Sequence, residues 1–375
     1  SSPPVLQAPV PELPQDWHSE ANPAAMAPGW LDEFNDPALS ALIDEALRQN
    51  PSLAASRQQL RAAEQQVRVT GAGRYPQLSL ELGTRKQESA ERSDSLDLSL
   101  GWSVDLWGKL SADQRQAELN RAAAEAAYEE QRQQLVASLA RNWFALQEAR
   151  MLLALYTRRQ DNLQESLEII ESGYRQGLNE ALDLYLARNN LHAEAARVAQ
   201  QQQVLSELQR ELERQLGRYP AAQLITDASL PLIDTVIPAG QPADILARRP
   251  DLQQQWLNLL AADAALASAH RDRFPSLNLN AGLGGSSDAL SDLLSLGNLS
   301  WSLGASLVQT LFDAGRKAAV QEQTLAQRRE QEQRWLDALF TAFVEVENAL
   351  SARQSLQQRY TRYLQAEENA LNAES

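Results

Sequence analysis

The chain has 375 residues, a net charge of −15 at pH 7, no cysteine and three scattered histidines, His18, His192 and His270. The acidic balance argues against nucleic acid, whose phosphates need a basic face. The missing cysteines exclude disulfides and thiolate metal sites. No run of 18 apolar residues occurs, so no transmembrane helix is expected.

Residues 1–35 form the first region, rich in Pro and Ala and without periodicity, and are read as an extended N-terminal arm. Ser1 follows no methionine and no signal peptide is visible, so a processed or trimmed chain is expected. Asp36 before Pro37 is an N-cap with Pro at the first helical position, opening a short helix over Ala38–Gln49. A second helix is predicted from about 52 to 72, ending near Gly71 and Gly73.

A β-hairpin follows, over about 76–106. Leu96, Leu98, Leu100, Trp102, Val104 and Leu106 are apolar, while Ser95, Asp97, Ser99, Gly101, Ser103 and Asp105 between them are polar or glycine. That alternation is a strand with one apolar and one wet face. Leu78, Leu80 and Leu82 repeat it in the preceding strand, and a charged turn near Glu88–Asp94 joins the two. Residues 110–170 contain no Gly or Pro, which predicts a helix roughly 90 Å long at ~1.5 Å per residue. Gly173 and Gly177 are expected to break it. A returning helix is predicted over about 181–216, completing a long helical hairpin over about 110–216. Residues 218–241 read as a linker.

The order then recurs: a helix over 251–272, strands near 276–284 and 297–311 around a Gly/Ser/Asp-rich loop (284–295), and a last helix from about 316. The recurrence is written in the residues. Asn50-Pro51-Ser52-Leu53 and Tyr75-Pro76 match Arg249-Pro250-Asp251-Leu252 and Phe274-Pro275, 199 residues later. Gly108-Lys109 answers Gly315-Arg316, and Tyr156-Thr157-Arg158 answers Tyr360-Thr361-Arg362. Two structural repeats are therefore expected, 36–217 and 242–375, the second hairpin spanning about 276–311. The second copy reaches Ser375 without a returning helix, so its helical hairpin is expected to continue beyond that residue.

Strands of about ten residues with small polar residues on one face are the signal of a transmembrane β-barrel. Four strands cannot close a barrel, and open edges do not survive in lipid. The barrel is therefore expected to be shared between copies: two would give eight strands, three would give twelve.

These residues resemble a known family. Trp30, Phe34, Asp36-Pro37, Leu39 and Leu42-Ile43 resemble its opening segment, and Asp105-Leu106-Trp107-Gly108-Lys109 its first strand-to-helix motif. Arg248-Arg249-Pro250-Asp251-Leu252, Ala261-Ala262-Asp263-Ala264-Ala265, Phe274-Pro275-Ser276-Leu277 and Phe312-Asp313-Ala314-Gly315-Arg316 resemble motifs of its second repeat. The family is the TolC-like outer membrane efflux proteins of Gram-negative bacteria, in the OprM/CusC/NodT lipoprotein branch. The resemblance implies a mainly α fold with a small β part. Each duplicated copy would give a β-hairpin to a shared, trimeric 12-stranded barrel and a long helical pair to a periplasmic tunnel. It implies a homotrimer in outer-membrane lipid, a periplasmic adaptor, an inner-membrane efflux pump, and an N-terminal lipid anchor in related lipoproteins. Transport would be passive, with no enzymatic activity and no cofactor.

Within that resemblance, Asp183 falls on the position of a constriction aspartate at the periplasmic gate. Three copies would form an acidic ring that selects cations; alternatively it is a surface or capping acid at a helix start. Tyr174, Arg175 and Tyr185 are candidates for closing hydrogen bonds, or are ordinary residues of the turn. Gly173 and Gly177 mark a helix tip that meets the adaptor, or simply a helix terminus. Trp102, Trp107 and Trp301 suit the aromatic girdle of the membrane interface, or packing within it. Alternative readings are the duct of a type I protein secretion system and a soluble helical scaffold or adaptor subunit. The scaffold would need its strands to pack on a protein core.

Overall fold

The computed structural model describes residues 14–19, 30–86, 93–226, 230–231, 240–287 and 299–374. In chain order these contain α1 (Pro37–Gln49), α2 (Pro51–Ala72), β1 (Gln77–Arg85), β2 (Ser93–Val104), α3 (Lys109–Arg175), α4 (Ala181–Gln215), α5 (Asp244–Arg248), α6 (Pro250–Arg271), β3 (Ser276–Ser287), β4 (Ser300–Val308) and α7 (Arg316–Glu374). The short α5, before the Arg249-Pro250 step, is an addition to the predicted elements. Most of the charged turn of the first hairpin and most of the 284–295 loop lie outside the described residues, although Asp94 and residues 284–287 belong to strands. Among the described residues no helix is long and apolar enough to cross a membrane.

The chain divides into two compact units: residues 1–21, 58–127 and 241–375, and residues 22–57 and 128–240. The second is a helical core. Asp36 starts it as expected, its Oδ1 accepting the N–H groups of Ala38 and Leu39 at 3.0 Å each, while Oδ2 accepts the indole N–H of Trp143 at 2.6 Å. Leu39, Ile43 and Ala46 of α1, Leu53 of α2, Leu139, Trp143 and Leu146 of α3, and Leu212 at the end of α4 pack together. Each fully buried leucine contributes about 1.5–3 kcal/mol. Buried Glu213 fastens the end of α4 to the next segment, accepting the N–H groups of Ala222, Gln223 and Leu224 at 2.7–3.1 Å. Burial pushes its carboxyl up, but these donors outweigh it and hold the group below its ordinary range.

The first unit is built on an antiparallel sheet in the order β1-β2-β3-β4, leaving β1 and β4 at its edges. The register aligns the two alternations. Leu80 lies opposite Leu98, Leu98 opposite Leu283, and Leu283 opposite Trp301. Opposed residues share a face, so one face carries leucines of all four strands with Trp102, Val104, Trp301 and Ala305. The other carries Ser79, Glu81, Asp97, Ser99, Asn278, Asn280 and Ser302. Among the described residues the apolar face is open at its edge strands: Leu80 is 69% exposed, Leu303 76% and Trp301 78%. On the polar face, side chains lie against glycines of the neighbouring strand. A Cβ on Gly83 would come 2.8 Å from Ser95 Oγ, on Gly282 2.9 Å from Ser302 Oγ, and on Gly304 2.8 Å from Asn280 Oδ1; Asp97 lies over Gly284 in the same way.

Beside the sheet, α6 and α7 share a core with Leu252, Leu259 and Leu339 fully buried and Trp256 against Trp335 at 5.4 Å. Arg328 and Glu332 pair inside it at 3.0 Å.

Candidate functional site

Two places carry the functional reading: the sheet with its join to the helices, and the tip of the α3–α4 hairpin.

At the join, Asp105 follows β2 and caps α3. Its carboxylate accepts the N–H groups of Leu110 and Ser111 at 2.9 and 2.8 Å and the Ser111 hydroxyl at 2.5 Å. Burial pushes this carboxyl up, but the Ser111 and Leu110 donors hold it below the ordinary carboxylate range. Gly108, at φ +78°, turns the chain into the helix, a conformation costly for a residue with a Cβ. Asp272, at the end of α6, takes the ammonium groups of both Lys109 and Lys317. Burial raises its pKa, but these two cations keep it low.

Of the three tryptophans, two lie on strands and one beyond the end of β2. Trp102 and Trp301 lie on the apolar face, near opposite ends of it, opposite Leu279 and Leu283 respectively. Trp102 donates its indole N–H to Arg74 O at 2.9 Å. Trp107 lies past the strand, donating to Pro275 O at 2.7 Å and stacking on Phe274 at 5.3 Å.

At the hairpin tip, α3 runs through Gly173, which is therefore not a helix breaker; Gly177 alone ends the helix. It adopts φ +74°, its N–H bonds Tyr174 O at 3.0 Å, and Leu178 N–H bonds Gly173 O at 2.8 Å. This 6→1 and 5→2 pair is a Schellman terminus. Gly173 has a different use: a Cβ there would lie 2.6 Å from Asn179 Nδ2, which donates to Ile170 O at 3.2 Å. Asn179, absent from the sequence-based candidates, thus folds over Gly173 and stitches the turn.

Asp183 opens α4. Its Oδ2 accepts the N–H of Glu180 at 3.2 Å, the geometry of a capping box, and its side chain borders a groove of about 320 Å³ with Ile170, Asn179, Leu186 and Asn190. Arg175 pairs with Glu171 at 3.3 Å, and Arg188 of α4 reaches the same carboxylate at 3.3 Å. Glu171, also absent from the sequence-based candidates, thus links the two helices near their tip, as Arg159–Glu194 and Gln201–Ala149 do farther along. Tyr174 and Tyr185 are exposed, at 43% and 62%. Exposed Leu178 and Leu182 stand beside them.

The family model described as Outer membrane efflux protein matches residues 42–218 and 242–373. The cation efflux system protein CusC of Escherichia coli O6:H1 is 31% identical over 385 residues, covering 96% of this chain and 83% of CusC. The antibiotic efflux pump outer membrane protein ArpC of Pseudomonas putida is 28% identical, covering 99% of this chain and 80% of ArpC. Among solved structures, the outer-membrane channel OprN superposes with a TM-score of 0.82 at 25% identity, over 96% of this chain and 86% of OprN.

The chain belongs to the outer membrane efflux protein family. It is an efflux exit duct of the outer membrane, with a TolC-like fold of barrel strands and periplasmic tunnel helices. The family is one of ducts, not of enzymes. The soluble-scaffold alternative fails on the leucine face open at the edge strands, and the protein-secretion alternative gives way to the efflux relatives.

Proposed function

We propose that three copies of this chain close a twelve-stranded barrel and conduct substrates passively from a periplasmic adaptor and inner-membrane pump to the cell exterior. The two-faced sheet with two open edges carries this reading. Its leucine face suits lipid, its Ser/Asn/Gly face suits a water-filled lumen, and β1 and β4 need partners from neighbouring copies. The repeats 36–217 and 242–375 would each supply one hairpin. The relatives carry different cargo names, cations for CusC and antibiotics for ArpC, which fits a duct whose pump selects the cargo.

The periplasmic closure falls at the helix tips. There Asp183 would serve twice, capping α4 within its own chain and giving one carboxylate to a threefold ring. Gly177 and the exposed Leu178 form the end that the adaptor meets. Trp102 and Trp301 would mark the two membrane interfaces, with Trp107 just beyond the strand.

Planar-bilayer recording from detergent-extracted protein tests the reading. The expected result is a cation-preferring pore whose selectivity falls in Asp183→Asn. A chain that partitions into aqueous buffer as a monomer and forms no pore overturns the duct. An unchanged selectivity in D183N removes Asp183 from the gate.

A further inference from the structure

Among the described residues, the contacts of α7 fall on its first half and on the turn 343–347. Its first half packs on α6, through Trp335 and the fully buried Leu339. The turn 343–347 then makes three attachments. Phe343 takes the edge of Trp17 at 6.1 Å between ring centres. Glu345 pairs with Arg249 at 2.7 Å. Glu347 accepts two consecutive backbone N–H groups of the N-terminal arm, His18 on Oε1 at 2.7 Å and Ser19 on Oε2 at 3.0 Å. From 351 to 372 every residue is exposed.

We infer that Trp17–Ser19 is a brace that fixes the angle at which α7 leaves its last packed turn, and so sets the resting aperture of the duct. The arm is more than a tether here. Trp17 is buried, and Phe343 and Glu347, one turn apart, present a ring and a carboxylate to three successive arm residues. A carboxylate taking two adjacent N–H groups is a directional, charge-assisted contact, so it fixes orientation as well as distance. Leverage makes the angle matter. About 25 residues, about 38 Å of helix, separate Glu347 from Asn372, so a tilt of about 5° at Glu347 moves that point by about 3 Å.

This inference rests on the proposed closure at the helix tips. Because the chain has no cysteine, a Ser19→Cys/Glu347→Cys pair can be locked and released without background thiols. Parent, W17A/E347A and the cysteine pair are compared in planar bilayers after each is shown to run as a heat-dissociable oligomer. The parent must conduct; a parent that does not conduct refutes the duct itself, before the brace is reached. The expected result is an open probability raised about tenfold in W17A/E347A and in the reduced pair, an open–closed shift of about 1.4 kcal/mol. Oxidation of the pair should return parental quiet. Equal currents in oxidised and reduced forms overturn the brace. So does loss of the oligomer on reduction, which would make the arm an assembly element.

Discussion

The two sheet-to-helix joins solve one problem with different side chains. In the first, Arg74 reaches Gln114 at 2.7 Å, and Trp102 donates to the carbonyl of Arg74. In the second, Arg273 reaches Gln321 at 3.1 Å, and Gln309 donates to the carbonyl of Arg273 at 3.1 Å. The bond pattern survives duplication while its donor changes from indole to amide. Charge is divided unequally. Where the first copy has Gly73, the second has Asp272, and that carboxylate takes Lys109 from the start of α3 and Lys317 from the start of α7. Backbone geometry is thus shared by both joins, whereas the ionic link is made once and serves both helices.

That contrast can be broken by substitution. The largest effect is expected from Asp105→Ala, which strips three donors from one cap and should cost about 2 kcal/mol, read as thermal unfolding in detergent. Asp313→Ala removes the acceptor of Gly315 and Lys317 N–H only, and should cost about 1 kcal/mol by the same measurement. Equal losses would erase the asymmetry. Asp272→Asn should cost less, about 0.5 kcal/mol, because the ion pairs are partly open to solvent, and the loss should shrink in high salt.

The pH dependence of that node has a definite sign. The Asp272 carboxyl has a folded pKa below its ordinary 3.8, so its stabilisation is complete above that value and disappears as pH falls through the folded one. Melting curves of parent and D272N should therefore converge as pH falls below 3.8 and through the folded pKa. The smallest effect belongs to Gln309→Trp, which restores the donor of the first copy and should change stability by less than about 0.5 kcal/mol.

Much of this was legible in local sequence. The Leu/Ser alternation placed β2 and its two faces, and Asp36-Pro37 placed the start of α1, because both signals act within a few residues. Gly173 was misread as a breaker because its use depends on Asn179 folding back over it from beyond the turn. Asp272, Glu171 and the contact of His18 and Ser19 with Glu347 escaped for a related reason. Each joins residues distant in sequence, and a lone acid on a helix looks solvated until its partner arrives in space. Asp183 was singled out through the family resemblance, with a capping acid as the alternative, and its geometry is that of a cap; the pore role stays with the bilayer experiment.

The glycines of the polar sheet face have a consequence for what can pass. Serine, asparagine and aspartate side chains lie down on Gly83, Gly282, Gly284 and Gly304 of adjacent strands instead of standing up from the wall. In the proposed barrel these four places bring the lumen wall down to the backbone, while Glu81 and Arg85 on the same face stand exposed. A side chain added at any of these four positions would push its neighbour's off the wall and into the lumen of the proposed barrel.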